Sequence, residues 1–280
     1  MHIARLMVRP DIDPTPIRAR LAETGRVQIP DFLVPDAAER LHRCLHSEVP
    51  WTLALCDEAG MRTLPREQFA AMDETSRRAL YAQVAAGGGD GSYRFAYASY
   101  MMARAYVEGR DPDLLLHRML EFLNSARYLQ FMRALTGEAR IQRIDAQATR
   151  YRPGQFLRTH NDEHSGEQRL FAYVLNLTRR WQADWGGLLH FVDAEDRVFD
   201  TFMPRWNSLT IFRVPVRHTV SIVADWAGED RYAITGWMLA SRTAREAIQT
   251  TQRLRAGAGA ADVAGSAVAP GHAPAGLVSH

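Results

Sequence analysis

Along the first 140 or so residues apolar positions recur mostly at helical spacing; beyond that point they fall into short runs between turn signals. Pro16 to Ala22 predicts a short helix closed near Gly25, then a strand over Val27–Ile29 and a Pro-Asp break. A second helix is expected from Asp36 to about Leu45, with Asp36 as N-cap and Glu39 completing a capping box. The charged stretch Arg66–Ala86 is helix-prone and runs into the glycine-rich segment Gly87–Gly91, read as a flexible connection. Tyr93–Tyr100 alternates aromatic and small residues, as a strand does. From Asp111 to Leu135 apolar residues such as Leu115, Met119, Leu123, Leu129 and Met132 keep helical spacing, which predicts one or two core helices.

The later segments are Ile141–Tyr151, Leu170–Leu177, Gly187–Val192, Ser208–Phe212, Thr219–Val223 and Tyr232–Ala240. Short strands at this spacing favour a β-sandwich or barrel over a parallel α/β sheet. One domain is expected over residues 1–245, with its β core at about 140–242. Residues 256–280 are Ala/Gly/Pro-rich with almost no charge, the composition of a disordered tail.

Composition narrows the classes without choosing among them. A chain of 280 residues, 46% hydrophobic and 24% charged, can bury a sizeable core unaided by disulfides. The net charge of +2 is too small to mark a nucleic-acid binder. Cys44 and Cys56 have no CxxC spacing and no matching Cys/His set, so two reduced, buried thiols are expected. The N-terminus lacks the apolar run of a signal peptide, and no segment approaches the ~20 apolar residues that cross a bilayer. These features predict a soluble cytoplasmic protein with neither nucleic acid nor membrane as partner.

The chemistry concentrates in Tyr151-Arg-Pro-Gly-Gln-Phe-Leu-Arg-Thr-His160-Asn-Asp162. Residues i and i+2 of a strand share a face, so His160 and Asp162 can reach one metal ion while Asn161 points away. With His218, at the head of a later strand, they form a two-histidine, one-carboxylate set. Such a set covers one face of an octahedral iron and leaves three positions for a bidentate co-substrate and O2. His46-Ser47-Glu48 has the same spacing but sits at a helix end, where i and i+2 diverge by ~200°. His164 and His190 read as ordinary surface or core histidines. Arg231 opens the strand Arg231–Trp237, whose alternation puts Arg231, Ala233, Thr235 and Trp237 on one face. An arginine entering a barrel interior is costly unless a carboxylate meets its planar fork.

These stretches, together with Ala172–Leu177, Trp181–Leu188, Pro204–Leu209 and the opening Val27–Leu33, resemble the Fe(II)/2-oxoglutarate dioxygenase superfamily and, within it, the prolyl hydroxylases. The likeness is greatest to the fungal ribosomal-protein prolyl hydroxylase group and its bacterial relatives, and it runs over about residues 25–242. It implies a mainly β fold: a double-stranded β-helix of the jelly-roll or cupin kind, buttressed by N-terminal α-helices. It implies that His160, Asp162 and His218 hold Fe(II) and that Arg231 binds the distal carboxylate of 2-oxoglutarate. Tyr151 and Tyr173 match tyrosines lining that co-substrate pocket, Trp237 matches an active-site wall, and Gly186-Gly187 fits a glycine pair before a core strand. The implied reaction hydroxylates an unactivated C–H bond using 2-oxoglutarate and O2, with ascorbate a candidate reductant. Asp162 favours hydroxylation, since family halogenases carry a small residue there.

The expected substrate is a prolyl residue in a peptide or protein. Two rivals remain at this stage: a hydroxylase of a free amino acid or small biosynthetic intermediate, and a non-catalytic metal- and 2-oxoglutarate-binding sensor. A nucleic-acid demethylase of the superfamily usually has a second arginine six residues after the first, where this chain has Trp237. The span from Ala70 to Asp111 is the least family-like and is expected to border the substrate entrance.

Overall fold

The computed structural model describes residues 7–86 and 93–240, so the Gly87–Gly91 connection and the tail from Ala256 lie outside the described residues. Helix α1 (Pro14–Thr24) is followed by β1 (Arg26–Ile29) and α2 (Pro35–Ser47). A hairpin of β2 (Thr52–Asp57) and β3 (Gly60–Leu64) leads into α3 (Arg66–Ala71) and α4 (Glu74–Ala86). β4 (Phe95–Tyr100) precedes α5 (Met102–Val107), α6 (Leu115–Leu123) and α7 (Ala126–Thr136). The strands after them are β5 (Arg143–Ile144), β6 (Gln147–Tyr151), β7 (Phe156–His160), β8 (Arg169–Asn176), β9 (Leu189–Val192), β10 (Val198–Phe202), β11 (Ser208–Arg213), β12 (His218–Val220) and β13 (Arg231–Leu239).

Local chemistry explains most element ends. Asp13 caps α1 by accepting from the Thr15 N–H at 2.9 Å, and Gly25, at φ 72°, closes it in the left-handed region. The capping box expected at Asp36 and Glu39 is not there: α2 begins at Pro35, Val34 precedes it, and no side chain caps it. Proline has no N–H to satisfy and its fixed φ starts the helix one residue earlier. Glu39 instead pairs with Arg179. The helical stretch from Arg66 breaks at Met72, which is extended, and restarts where Asp73 accepts from the Ser76 N–H at 2.7 Å. The β2–β3 hairpin, β10 and α5 are elements the sequence pattern did not bring out.

Strand order is β1-β11-β8-β13-β6-β4-β7-β12-β9-β10, with β2 joined to β4, β3 to β2, and β5 to β13. β4 turns the corner between two layers: Ala98–Tyr100 pair with β6, whereas Phe95 and Ala96 pair with β7. This is the double-stranded β-helix that the resemblance implied. Period-two alternation loads both faces of the larger layer. Phe171, Tyr173 and Leu175 of β8 join Leu41, Leu45 and Leu120 in a core under the helices. Ala172 and Val174 face inward, with Phe191, Phe212 and Val220 across the barrel. Both cysteines are free and buried, and burial pushes the Cys44 thiol up to about 12, which keeps it protonated and inert. No helix among the described residues is long and apolar enough to cross a membrane.

Candidate metal centre

Antiparallel pairing of β12 with β7 sets His218 directly opposite His160. That register brings together two histidines 58 positions apart, and their ring centroids lie 4.1 Å from each other. Asp162 joins them by a different route from the one the spacing implied. β7 ends at His160, and Asp162 turns back in the left-handed region at φ 63°, a conformation that aspartate tolerates better than most residues. A backbone reversal, not strand alternation, delivers the carboxylate.

Each imidazole is oriented by its own backbone. His160 Nδ1 lies 3.0 Å from the Arg158 carbonyl and His218 Nδ1 lies 2.9 Å from the Val216 carbonyl. An Nδ1–H donated to each carbonyl fixes the tautomer and leaves both Nε2 lone pairs for a ligand. These Nε2 atoms stand 3.3 and 3.4 Å from the two oxygens of Asp162. One ligand atom from each of the three residues lies within 4.8 Å of the others, and no other such group of three occurs among the described residues. Two nitrogens and a carboxylate grouped on one side, with a cavity on the other, fit an iron-sized divalent cation that keeps open positions.

Burial, and then the neighbouring His160, push the His218 imidazole down to about 4, so it is neutral and able to ligate at pH 7. Burial alone would raise the Asp162 carboxyl; the two histidine rings beside it outweigh that and hold the group below its usual range. A smaller contribution comes from the Trp237 indole, whose Nε1 has no other partner.

A cavity of about 90 Å³ lies beside the triad, and Arg231 and Tyr151 also line it. Arg231 is 3% exposed, its Nε has no hydrogen-bond partner, and no carboxylate among the described residues pairs with it. Burial lowers its pKa, but a guanidinium stays protonated at any ordinary pH. Its charge lies 5.0 Å from the centroid of the Tyr151 ring, which in turn stacks on Tyr97 at 4.9 Å. Gly187, at φ 60°, gives Arg231 its room: a Cβ there would come within 3.3 Å of Arg231 Cδ and 3.1 Å of Trp181. At Gly186 a Cβ would overlap the Ile222 carbonyl at 2.0 Å.

Trp237 and Thr235 line the cavity from β13, as alternation from Arg231 predicts. Tyr173 stands apart from the other expected pocket residues. It lines the cavity, while its ring belongs to the helix-side core and its hydroxyl donates to the Asp145 carbonyl at 2.9 Å. The decoy histidines have other roles: His46 Nδ1 meets the Tyr232 hydroxyl at 3.3 Å, His164 accepts from the Gly166 N–H, and His190 contacts Thr201. Tyr93 and Tyr97 of the β4 region, and Gln147 of β6, also line the cavity, and sequence reasoning assigned them no role. The aromatic–small alternation over Tyr93–Tyr100 was the available signal, since it puts Tyr93, Phe95 and Tyr97 on one face.

Residues 146–239 match the profile of the 2OG-Fe(II) oxygenase superfamily. The chain is similar to prolyl 3-hydroxylase OGFOD1 of Xenopus laevis, 31% identical over 118 residues, which is 39% of this chain and 22% of that protein. The mouse protein of the same name is 30% identical over 135 residues, 46% of this chain and 24% of its own length. The match thus spans less than a quarter of these curated relatives. Among solved structures, an oxidoreductase of the 2OG-Fe(II) oxygenase family from Burkholderia pseudomallei has a TM-score of 0.53 at 16% identity, covering 84% of this chain and 94% of that one. At that identity the likeness speaks to fold alone. The stretch that matches the 2OG-Fe(II) oxygenase superfamily, residues 146–239, holds all three candidate ligands and Arg231, and the fold and ligand geometry agree with that likeness.

Proposed function

We propose that the protein is an Fe(II)- and 2-oxoglutarate-dependent hydroxylase acting on a prolyl residue of a peptide or protein. The observation that carries the co-substrate is the buried, carboxylate-free Arg231 in the same cavity as the triad. His160, Asp162 and His218 would hold the metal. When bound, Fe(II) supplies the redox chemistry by which 2-oxoglutarate and O2 become succinate, CO2 and a hydroxyl on the substrate. The remaining work falls to the chain itself. Arg231 offers a fixed fork to the distal carboxylate, and Tyr151 packs against that fork. Apolar walls from Leu157, Leu189, Phe212 and Val220 keep water from the co-substrate.

Two observations support a polypeptide substrate. Both curated relatives are named as prolyl 3-hydroxylases. In addition, an open groove shares Tyr93, Tyr97, Gln147, Thr235 and Trp237 with the cavity and continues past Ala54, Thr63 and Ser99 to Met61 and Met101. Small side chains, aromatic rings, Arg62, Asp145 and two exposed methionines line it, a surface suited to the chain on either side of a target residue. Anaerobic addition of Fe(II) and 2-oxoglutarate tests the centre: a weak charge-transfer band at roughly 530 nm is expected of an iron–keto-acid chelate at such a triad. No band, and no succinate from 2-oxoglutarate in air, would end the proposal. Mass spectrometry of a bacterial lysate should then show gains of about 16 Da on proline residues, one oxygen atom from hydroxylation at such a site. Turnover of free proline with no modified protein would instead favour the small-molecule reading.

A further inference from the structure

Arg169 opens β8, seven residues beyond the ligand Asp162, and its side chain is only 14% exposed. Two of its contacts reach the metal centre and its wall, and a third goes to Glu167. One terminal nitrogen donates to the Asp162 main-chain carbonyl at 3.2 Å. The guanidinium carbon lies 3.7 Å from the centroid of the Trp237 ring, so the plane sits against the indole. The other terminal nitrogen is 3.5 Å from Glu167, which also receives a hydrogen bond from the nearly buried Arg143 at 3.0 Å.

We propose that Arg169 is a positioning residue: it holds the left-handed turn that presents the Asp162 carboxylate and, through the same guanidinium, the Trp237 wall beside it. The inference rests on reading the triad as the iron site. It follows from what else could hold that turn. Asp162 lies past the end of β7, outside the ladder that orients His160 and His218, and a positive φ at a non-glycine residue persists only where its surroundings insist on it. Asn161 and Glu163 bond to each other across the turn, at 2.7 and 3.1 Å, but neither of those bonds reaches the core. Arg169 does: it ties the Asp162 carbonyl to β8 and β13, the paired central strands. A planar fork is needed, because one edge must donate while the face stacks, and lysine cannot do both.

Co(II), titrated anaerobically into the full-length protein, is the probe, and the paired controls are Arg143→Gln and His160→Ala. Arg143 shares Glu167 with Arg169 but makes no recorded contact with Asp162, so it reports the loss of the ion pair alone. Arg169→Gln is expected to weaken Co(II) binding by about 10–100-fold, the usual effect of removing a group that orients a ligand. Arg143→Gln should leave Co(II) affinity unchanged even where its melting temperature falls. Arg169→Lys should lie at the low end of that range and decides the matter if the glutamine variant does not fold. Equal Co(II) affinity in the Arg169 variants and Arg143→Gln overturns the proposal, whatever their melting temperatures. A wild-type protein that binds Co(II) no better than His160→Ala overturns the iron-site reading itself, an outcome distinguishable from the first.

Discussion

Replacing Arg231 with methionine should stabilise the ligand-free protein while removing its response to 2-oxoglutarate. Methionine keeps most of the side-chain volume, so the change removes a charge more than it opens a void. In the wild type that charge is 3% exposed, its Nε is unpartnered, and its compensating contact is the Tyr151 ring at 5.0 Å. An unmet buried donor costs about 1–3 kcal/mol, and the ring recovers about 0.5–2 kcal/mol. Adding the desolvation that an apolar replacement avoids, the net gain is about 1–3 kcal/mol. For a folded region of this size that is roughly 2–10 °C in melting temperature. Ligand acts the other way: at a hundred times Kd, 2-oxoglutarate stabilises a protein that binds it by about 2.7 kcal/mol. The assay is thermal melting with Mn(II) in place of Fe(II), with and without 2-oxoglutarate. Wild type should melt low when free and gain strongly; Arg231→Met should melt higher when free and gain nothing. A methionine variant that is less stable without ligand, or that keeps the 2-oxoglutarate shift, would refute the claim that this guanidinium is held unpaired for a carboxylate.

The other expectations are more compact. His160→Ala or Asp162→Ala should abolish succinate production, since two ligands hold Fe(II) poorly; near-normal turnover with verified metal content would rule out the assignment. Gly236→Ala should cost more than about 3 kcal/mol, because its Cβ would lie 2.1 Å from the Asp145 carbonyl and backbone has nowhere to go; chemical denaturation measures it, and a change below 1 kcal/mol (about the scatter of surface substitutions) would contradict the packing. In the metal-free protein, the folded state refuses a proton on His218 until about pH 4, whereas the unfolded chain accepts one near its ordinary pKa. Stability should therefore fall as pH drops from about 6.5 to 4, by up to about 3 kcal/mol. His218→Gln should flatten that slope, and an unchanged slope would assign it to other groups.

The sequence disclosed this centre unevenly, and the reasons are physical. His160, His218 and Arg231 stand in or at the ends of strands, where two-residue alternation and the order of motifs carry position directly. Asp162 was found for a reason only half right: the spacing was correct, but a left-handed turn does the placing. Tyr173 lines the cavity as its motif suggested, although alternation from Ala172 and Val174 puts its ring in the helix-side core. Arg169 gave no local sign: its contact with Trp237 exists only once β8 and β13 are paired, and its bond to the Asp162 carbonyl only once the chain turns back after β7. β10 was hidden because it is an outer strand with little burial, so its alternation never registers as apolar and polar. The β2–β3 hairpin was hidden differently, since Met61, Arg62 and Thr63 face solvent or the groove, not the core.

The strand that carries Arg231 and the strands that carry the histidines are built to different standards of permanence. β13 is nine residues long and pairs with β5, β6 and β8, so its residues are locked on both sides. β12, with His218, has only three residues; it pairs with β9 on one side and meets β7 in an irregular register on the other. A lineage descending from this chain could therefore lose a metal ligand to mutation with little harm to the barrel, and would retain Arg231 and the cavity around it. The metal is the easily discarded part of this architecture, and the buried guanidinium of Arg231 is the part that would be inherited.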